Sequence, residues 1–171
     1  YFDVIIGQSR IAIRINGEWE GSLNELSGGS GYYFVLNSPL NFTYTFTDIL
    51  SKYEQRGVNE ILHKQSSLQS FYFIESSSLP ELDEGDWIAA FNDDVCVGSQ
   101  AWSGEYTSLP IMGDDDTQWT VGYLGYGGTP TFKVYDVSAN TYYTATSSET
   151  YPFENLGTWI INSISVSDDC A

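Results

Sequence analysis

Positive charge is scarce in this sequence. Only 6 Lys and Arg side chains face 23 Asp and Glu, which gives a formal net charge of −17 at pH 7. The shortage is concentrated in residues 65–171, where Lys133 is the one basic residue against sixteen acids. Proteins bind nucleic acids by displacing phosphate counterions with Lys and Arg, and the same side chains attract anionic membrane surfaces. We therefore expect neither of these partners.

Long apolar runs and cysteines are also few. No stretch reaches the ~18 apolar residues that a membrane-spanning helix needs, so we expect no membrane insertion. The two cysteines, Cys96 and Cys170, are too few to scaffold a fold through disulfides, and a bridge between them is left open. Cys96 lies in the alternating run DVCVG, which favours a small buried side chain.

The sequence offers no arranged set of catalytic residues. Its single histidine, His63, has no accompanying Ser or Cys signature of a nucleophile, and we expect it on a loop or on the surface. Acids are numerous enough to pair as in glycoside hydrolases, but their clusters lie in predicted turns. The prediction is a protein that is not an enzyme, with no catalytic residue assigned.

Alternating apolar and polar residues dominate the chain. The segments are short, are bounded by Gly, Pro, Asn, Asp or Ser, and recur at intervals of about eight to twelve residues. The predicted fold class is all-β, an antiparallel β-sandwich (Ig-like or jelly-roll-like) with a smaller N-terminal β segment. The predicted strands are RIAIRI (10–15), NFTYTF (41–46), SFYFIE (70–75), DWIAAF (86–91), DVCVGSQAW (94–102), QWTVGY (118–123), TFKVYD (131–136), NTYYTAT (140–146) and TWIINSISV (158–166).

One segment breaks the strand pattern and marks a domain boundary. DILSKYEQRGVNEILHKQ (48–65) has irregular apolar spacing and is interrupted by Gly57, so it indicates a linker with at most a helical turn. The charge balance of the chain changes at the same place. The predicted organisation is an N-terminal β segment (1–48), a linker (49–65), a β-sandwich (66–167) and a short tail (168–171).

Within the stretch EGDWIAAFNDDVCVGSQAW (84–102), the residues GDWIAAFNDDVCVGS (85–99) predict a hairpin. Asn92, Asp93 and Asp94 are residues that turns favour, and they separate two alternating runs. We expect the turn at these three residues. The side chains predicted to face the core are Trp87, Phe91, Val95 and Val97.

The same stretch, followed by PIMGDDDTQWTVGY, GGTPTFKVYD and NTYY, resembles a module repeated in large secreted and surface proteins of marine and environmental bacteria. WEGSLNELSGGSGYYFVLN (19–37) is similar to the closing half of a second module often found beside it. The resemblance implies a non-catalytic β module that is extracellular or on the cell surface, with a structural or adhesive role. It implies no agreed ligand.

Two acidic turns are candidates for a calcium site. ELDEGD (81–86) and GDDDTQ (113–118) crowd carboxylates around glycines, and Ca²⁺ takes six to eight oxygen ligands, which turns can supply. The alternative is a solvated turn in which Asp and Gly only satisfy backbone geometry. The predicted metal ligands are Asp83, Asp86, Asp114 and Asp116.

The abundance of aromatic residues favours a glycan-binding function as an alternative. Sugar rings present C–H faces that pack on indole and phenol rings, although aromatics on strands more often form cross-strand pairs. Trp87 and Trp159 are assigned to the core, and Trp102 and Tyr106, around the turn SGEY, to the surface. The candidate glycan-binding residues are Trp102, Tyr106, Trp119 and Tyr126.

The N-terminal segment predicts self-association. A unit of about 48 residues rarely buries enough apolar surface to fold alone, and an unpaired strand can be donated to a neighbouring copy, which generates a fibre. The alternative is packing against the rest of the chain. The residues predicted to be donated are Tyr1, Phe2, Val4, Ile5 and Ile6. The leading expectation is thus a structural or adhesive module that assembles with itself, and the alternative is a calcium-dependent carbohydrate-binding module.

Overall fold

The structure is a computed structural model that describes residues 3–7, 10–27, 30–39, 61–77, 82–83 and 85–166. The chain divides into two compact units, Tyr1–Gln55 and Arg56–Ala171. In the described ranges the eleven regular elements are all β-strands, so the all-β prediction is confirmed. The same ranges contain no helix that is long and apolar enough to cross a membrane.

The strands of the first unit are β1 (Val4–Gly7), β2 (Arg10–Ile15), β3 (Glu18–Glu20) and β4 (Tyr33–Val35). They form an antiparallel sheet in the order β3-β2-β1-β4. The β2–β3 hairpin turns at Asn16 and Gly17, whose φ angles of 52° and 95° are those that a two-residue turn demands. Ile11 and Ile13 of β2 are fully buried, so RIAIRI presents its isoleucines to a core.

The strands of the second unit are β5 (Gln69–Ser77), β6 (Trp87–Asn92), β7 (Val95–Ala101), β8 (Thr107–Met112), β9 (Thr131–Asp136), β10 (Thr141–Ser147) and β11 (Thr158–Val166). They form one sheet in the order β7-β6-β9-β10-β11-β5-β8. Every pair is antiparallel except β5 with β11, the first and last strands of the unit, which run parallel.

The two outermost strands of this sheet, β7 and β8, pack against each other. A Cβ atom built on Gly98 of β7 would lie 2.0 Å from the carbonyl oxygen of Pro110 in β8. The sheet therefore folds over on itself in a sandwich-like, nearly closed arrangement, as the sandwich prediction implies. The main core lies inside it and includes Tyr72, Ile88, Ile111 and Phe153.

The predicted hairpin at residues 85–99 is confirmed. Strands β6 and β7 pair on either side of a turn at Asp93 and Asp94, with a register shift between Ala90 and Phe91. Both faces of β6 are used, because Ile88 enters the main core while Phe91 joins a smaller apolar cluster. Val95, predicted to face the core, is 37% exposed, since it directly follows the turn.

The structure corrects two further strand predictions. Residues 118–123, predicted as a strand, form turns, because side-chain hydrogen bonds to Asp115 organise the backbone there. Strand β8 was not predicted, and Pro110 at its centre explains why, since proline disfavours strand interiors. The predicted strand at 41–46, residues 49–60 of the predicted linker, Cys170 and residues 168–171 of the predicted tail lie outside the described residues.

Residues 61–66, which include the end of the predicted linker, are anchored to the second unit. Ile61 is 1% exposed and its carbonyl oxygen accepts a hydrogen bond from the Ser99 hydroxyl (2.9 Å). The Lys64 amide donates to the Tyr123 hydroxyl (2.7 Å), and the Ser66 hydroxyl donates to the Gly113 carbonyl (2.7 Å). We call residues 61–66 the strap.

Candidate functional site

The first acidic turn is held together by Asp86. Its carboxylate accepts the backbone amides of Asp83 (3.0 Å) and Val137 (2.9 Å), one on each oxygen. Its own carbonyl oxygen accepts the amide of Trp102 (2.7 Å). Asp86 is 5% exposed while Asp83 is exposed. Of these two predicted calcium ligands, Asp86 therefore joins three segments of the fold as a hydrogen-bond acceptor.

Asp86→Asn should lower the free energy of unfolding by about 2 kcal/mol. The asparagine side chain places its NH₂ group against one of the two backbone N–H groups whose hydrogen bonds the Asp86 carboxylate now accepts. A buried donor without an acceptor costs about 1–3 kcal/mol. Chemical denaturation followed by circular dichroism measures the change. Asp94→Asn, with the same change in charge in an exposed turn, should shift stability by less than about 0.5 kcal/mol. Equal effects of the two variants would contradict this role.

The second acidic turn is organised by an aspartate that the sequence did not single out. The Asp115 carboxylate accepts the Ser67 amide (3.0 Å) and the hydroxyls of Thr117 (2.8 Å) and Thr120 (2.7 Å). These hydrogen bonds hold the pKa of Asp115 far below its ordinary value. The signal in the sequence was the Asp-x-Thr spacing, in which Asp and Thr side chains bond the backbone of a turn.

The other predicted ligands of this turn lie beside Asp115. Asp114 accepts the amide of Asp116 (3.0 Å) on Oδ1, and Asp116 is exposed with a φ of 62°. Across the ranges that the structure describes, no three His, Cys, Asp or Glu side chains come close enough to hold a metal ion. Asp83 and Asp86 share one turn and Asp114 and Asp116 another, and calcium binding stays a prediction.

The predicted glycan-binding aromatics separate into buried and exposed pairs. Trp102 is 9% exposed and lies in the main core, so its predicted surface position is wrong. Tyr106 is partly buried, and its hydroxyl donates to the Glu75 carboxylate (3.0 Å). By contrast, Trp119 is 57% exposed and Tyr126 is 82% exposed. The core assignments of Trp87 and Trp159 are partly correct, because both are half-buried against apolar clusters.

The exposed aromatics belong to residues 113–130, the connection between β8 and β9, which we call the aromatic loop. Val121, between the two rings in sequence, is 73% exposed as well. The backbone of the loop is fixed at several points. Gly113 bridges to Leu124, and the Asp114 amide donates to the Leu124 carbonyl (2.9 Å). The Gly127 amide donates to Phe153 (2.9 Å), which donates back to Gly128 (2.7 Å).

The strap and the β6–β7 hairpin border the aromatic loop. The Lys64 ammonium lies 3.9 Å from the centre of the Trp119 ring, a cation–π contact. The Asn92 side-chain amide donates to the Gly122 carbonyl (3.0 Å). The loop therefore lies beside the hairpin turn with its two exposed carboxylates. We call these and the loop's own carboxylates the acid rim: Asp93, Asp94, Asp114, Asp115 and Asp116.

His63 is a residue of the strap, which has no regular secondary structure, and its side chain is partly buried against β7. Its Nδ1 is 3.3 Å from the Ser99 hydroxyl, which also donates to Ile61. Burial lowers the pKa of His63 to about 4 and raises the pKa of the Cys96 thiol to about 11. Cys96 is buried, as predicted. Ser99 itself is 5% exposed. Its contacts with Ile61 and His63 fix the strap on β7.

The N-terminal strand lies in the interior of its sheet. Val4, Ile5 and Ile6 pair with β2 on one side and with β4 on the other. Strand β1 can therefore be donated to another copy only by leaving both neighbours. Among the strands that the structure describes for this unit, β3 and β4 are at the two edges of the sheet. Tyr1 and Phe2, which were predicted to take part in donation, lie outside the described residues.

These observations define a class: an all-β protein of two units, with an exposed aromatic loop bordered by carboxylates. No known protein family, curated protein or solved structure matches the chain.

Proposed function

We propose that this chain is a non-catalytic, extracellular adhesive β module that binds a glycan through its aromatic loop. The observation that carries the proposal is the exposure of Trp119, Val121 and Tyr126 on a loop whose backbone is fixed by hydrogen bonds. Large apolar side chains are normally withdrawn from water, and an exposed group of them is a feature of binding surfaces.

Two physical properties of the loop suit a glycan. The C–H face of a sugar ring packs on an indole or phenol ring, so Trp119 and Tyr126 offer suitable contact surfaces. Because the loop is already ordered by its bonds to Leu124 and Phe153, binding would lose little further conformational entropy. The sugar hydroxyls would meet a polar border, which includes Gln118 and the acid rim.

Trp119→Ala should weaken glycan binding at least about tenfold, since a stacked aromatic contributes about 0.5–1.5 kcal/mol in addition to the free energy of burying its apolar area. A glycan array followed by titration calorimetry measures the loss. Trp19→Ala is the matched control, because Trp19 is also exposed (38%) but lies on β3 of the first unit. Full binding by Trp119→Ala would contradict the proposal. Repeating the titration with calcium and with a chelator tests its calcium-dependent form.

Self-association is a second proposed function, and strand β4 favours it. Among the strands described for the first unit, β4 is at one edge of the sheet, with Tyr33 57% and Val35 44% exposed. The opposite edge, β3, carries Glu18 and Glu20, whose like charges oppose pairing with a second copy. An uncharged edge invites pairing, so we propose that two copies associate through β4.

Val35→Lys should dissociate such an assembly, because a charged residue on an edge strand opposes strand addition. Light scattering coupled to size-exclusion chromatography, at protein concentrations around the association midpoint, measures the change in mass. Val137→Lys is the matched control: the substitution is the same and the exposure is similar (46%), but the residue lies in the second unit. A wild-type chain that is monomeric throughout would contradict the proposal.

A further inference from the structure

The Trp119 ring already holds a cation. The Lys64 ammonium is 3.9 Å from the ring centre, although Lys64 itself is exposed and the ring is 57% exposed. Lys64 and Lys133 are the two Lys or Arg residues of the sequence between positions 61 and 166. The second lies over the Phe91 ring, with 4.6 Å between its ammonium and the ring centre. Lys64 is therefore the cation that belongs to the aromatic loop.

Apart from Lys64, the charged residues that the structure describes in the aromatic loop and the adjoining hairpin turn are all negative. The aromatic loop holds three aspartates and no basic residue, and the adjoining hairpin turn adds Asp93 and Asp94. The contact between Asn92 and Gly122 brings this turn to the loop (3.0 Å). These carboxylates repel an anionic ligand and attract a cationic ligand, most strongly at low salt. The surface thus combines apolar side chains with a negative field.

We infer that the ligand of the aromatic loop is a cationic glycan, a polymer of amino sugars with free ammonium groups. In this arrangement Lys64 occupies the position of the ligand's ammonium on Trp119 and gives way when the ligand binds. The inference rests on the proposed glycan-binding function and adds the charge of the ligand to it.

Charge complementarity favours this ligand over the other glycan classes. A uronic-acid or sulfated polymer would bring its anions to the acid rim and be repelled. A neutral glycan would pack on the same ring faces but would gain nothing from the carboxylates. An amino sugar packs on the ring faces and is also attracted by the carboxylates, and its ammonium over Trp119 adds a cation–π contact. The expected order of affinity is cationic, neutral, then anionic.

Lys64 competes with a cationic ligand for the Trp119 ring. A side chain that competes for the ring from within the same molecule lowers the apparent affinity of the ligand. Lys64→Met removes the ammonium while keeping an unbranched apolar side chain, so binding of a cationic glycan should become stronger. Lys133→Met is the matched control. It makes the same change in net charge and removes the same kind of ring contact, but at Phe91.

The test compares a glucosamine hexamer with an N-acetylglucosamine hexamer, whose sugar backbone is the same but whose charges are removed. Calorimetry with the full chain, at low salt and just below neutral pH, measures both. We expect the glucosamine hexamer to bind about tenfold more tightly. Lys64→Met should increase its affinity about threefold or more, Lys133→Met should change it less than about twofold, and Trp119→Ala should abolish binding of both hexamers.

Each other outcome has a defined meaning. Equal binding of the two hexamers, both lost in Trp119→Ala, overturns the cationic ligand and leaves the glycan function standing. Glucosamine binding that survives Trp119→Ala is general attraction to an acidic protein and overturns the inference. A lysine-rich peptide that binds more tightly than the hexamer through Trp119 replaces the glycan with a basic protein partner. If no glycan binds the wild-type chain, the proposed function itself fails.

Discussion

Gly98→Ala is expected to destabilise the second unit strongly. The added Cβ atom would lie 2.0 Å from the carbonyl oxygen of Pro110, 3.1 Å from its carbonyl carbon and 3.2 Å from Cα of Ile111. All three are backbone atoms of β8, so no side chain can turn aside to make room. Strands β7 and β8 would have to separate by about 1 Å, which breaks the close packing of the core between them.

The energetic cost of that separation is large compared with the stability of a domain. Overpacking a well-packed core usually costs about 1–3 kcal/mol, and a clash with backbone falls at or above the upper end. Domains are stable by only about 5–15 kcal/mol in total. We expect the melting temperature to fall by about ten degrees or more, or the protein to be insoluble.

Thermal unfolding followed by circular dichroism distinguishes this effect from a general cost of replacing glycine. Gly125→Ala is the control, since Gly125 is exposed and a Cβ atom there would meet nothing within 4 Å. It should melt close to the wild-type temperature. If Gly98→Ala also melted there, β7 and β8 would not be packed as the structure places them.

Acidification from pH 6.5 to pH 4 is expected to remove about 3 kcal/mol of stability through His63 alone. Burial lowers the pKa of His63 from 6.5 to about 4, and each pKa unit corresponds to about 1.4 kcal/mol. Above pH 6.5 the imidazole is neutral in both states and has no effect on the unfolding equilibrium. Below it the unfolded chain binds the proton first, so stability falls until the folded state is protonated near pH 4.

His63→Gln isolates this contribution, because it keeps a polar side chain beside Ser99 but does not titrate. The measurement is the free energy of unfolding of both proteins across this pH range. Net charge changes alike in the two proteins apart from the one proton, so the difference between the curves reports His63. That difference should shrink or change sign as pH falls. A difference that stays constant from pH 6.5 to pH 4 would contradict the buried, neutral imidazole.

Carboxylates also titrate in the lower part of this window. Hydrogen bonds lower the pKa values of Asp115, Asp136 and Glu149. A carboxyl group with a depressed folded pKa loses its stabilising effect progressively as the pH falls through the unfolded value, from about pH 5 downwards. This loss is the same in the wild-type chain and in His63→Gln, so it cancels in the difference between the two curves. A further decline below pH 4 is expected in both proteins.

Local chemistry explains which parts of the fold the sequence predicts. The β6–β7 hairpin is encoded by two alternating runs around Asp93 and Asp94, and its turn is where the pattern puts it. The order of strands is different, since it depends on pairing between distant segments. Nothing in VIIG shows that β1 has neighbours on both sides. Trp102 was also predicted to be exposed because it precedes a turn. In the structure its backbone amide donates to the Asp86 carbonyl oxygen and its ring lies in the main core.

The sequence also predicts only part of the candidate site. Composition identifies Trp119 and Tyr126 as candidates, but only the folded chain separates them from Trp102 and Tyr106. A run of three aspartates predicts an acidic turn and cannot show that the middle one, Asp115, takes the hydrogen bonds. Lys64 lies in a segment that the sequence presents as a linker, and its contact with Trp119 follows from how the strap is anchored.

The parallel pairing of β5 and β11 has a mechanical consequence. The two strands run side by side from Phe71 with Thr158 to Ser77 with Ile164, so β5 begins at one end of the pair and β11 finishes at the other. Tension applied between these two points acts along the strands and loads their hydrogen bonds in shear, all together instead of one after another. Forced unfolding is governed by the rate of crossing the unfolding barrier, and a shear geometry raises that barrier. We therefore expect the second unit to unfold slowly under tension applied between these two points.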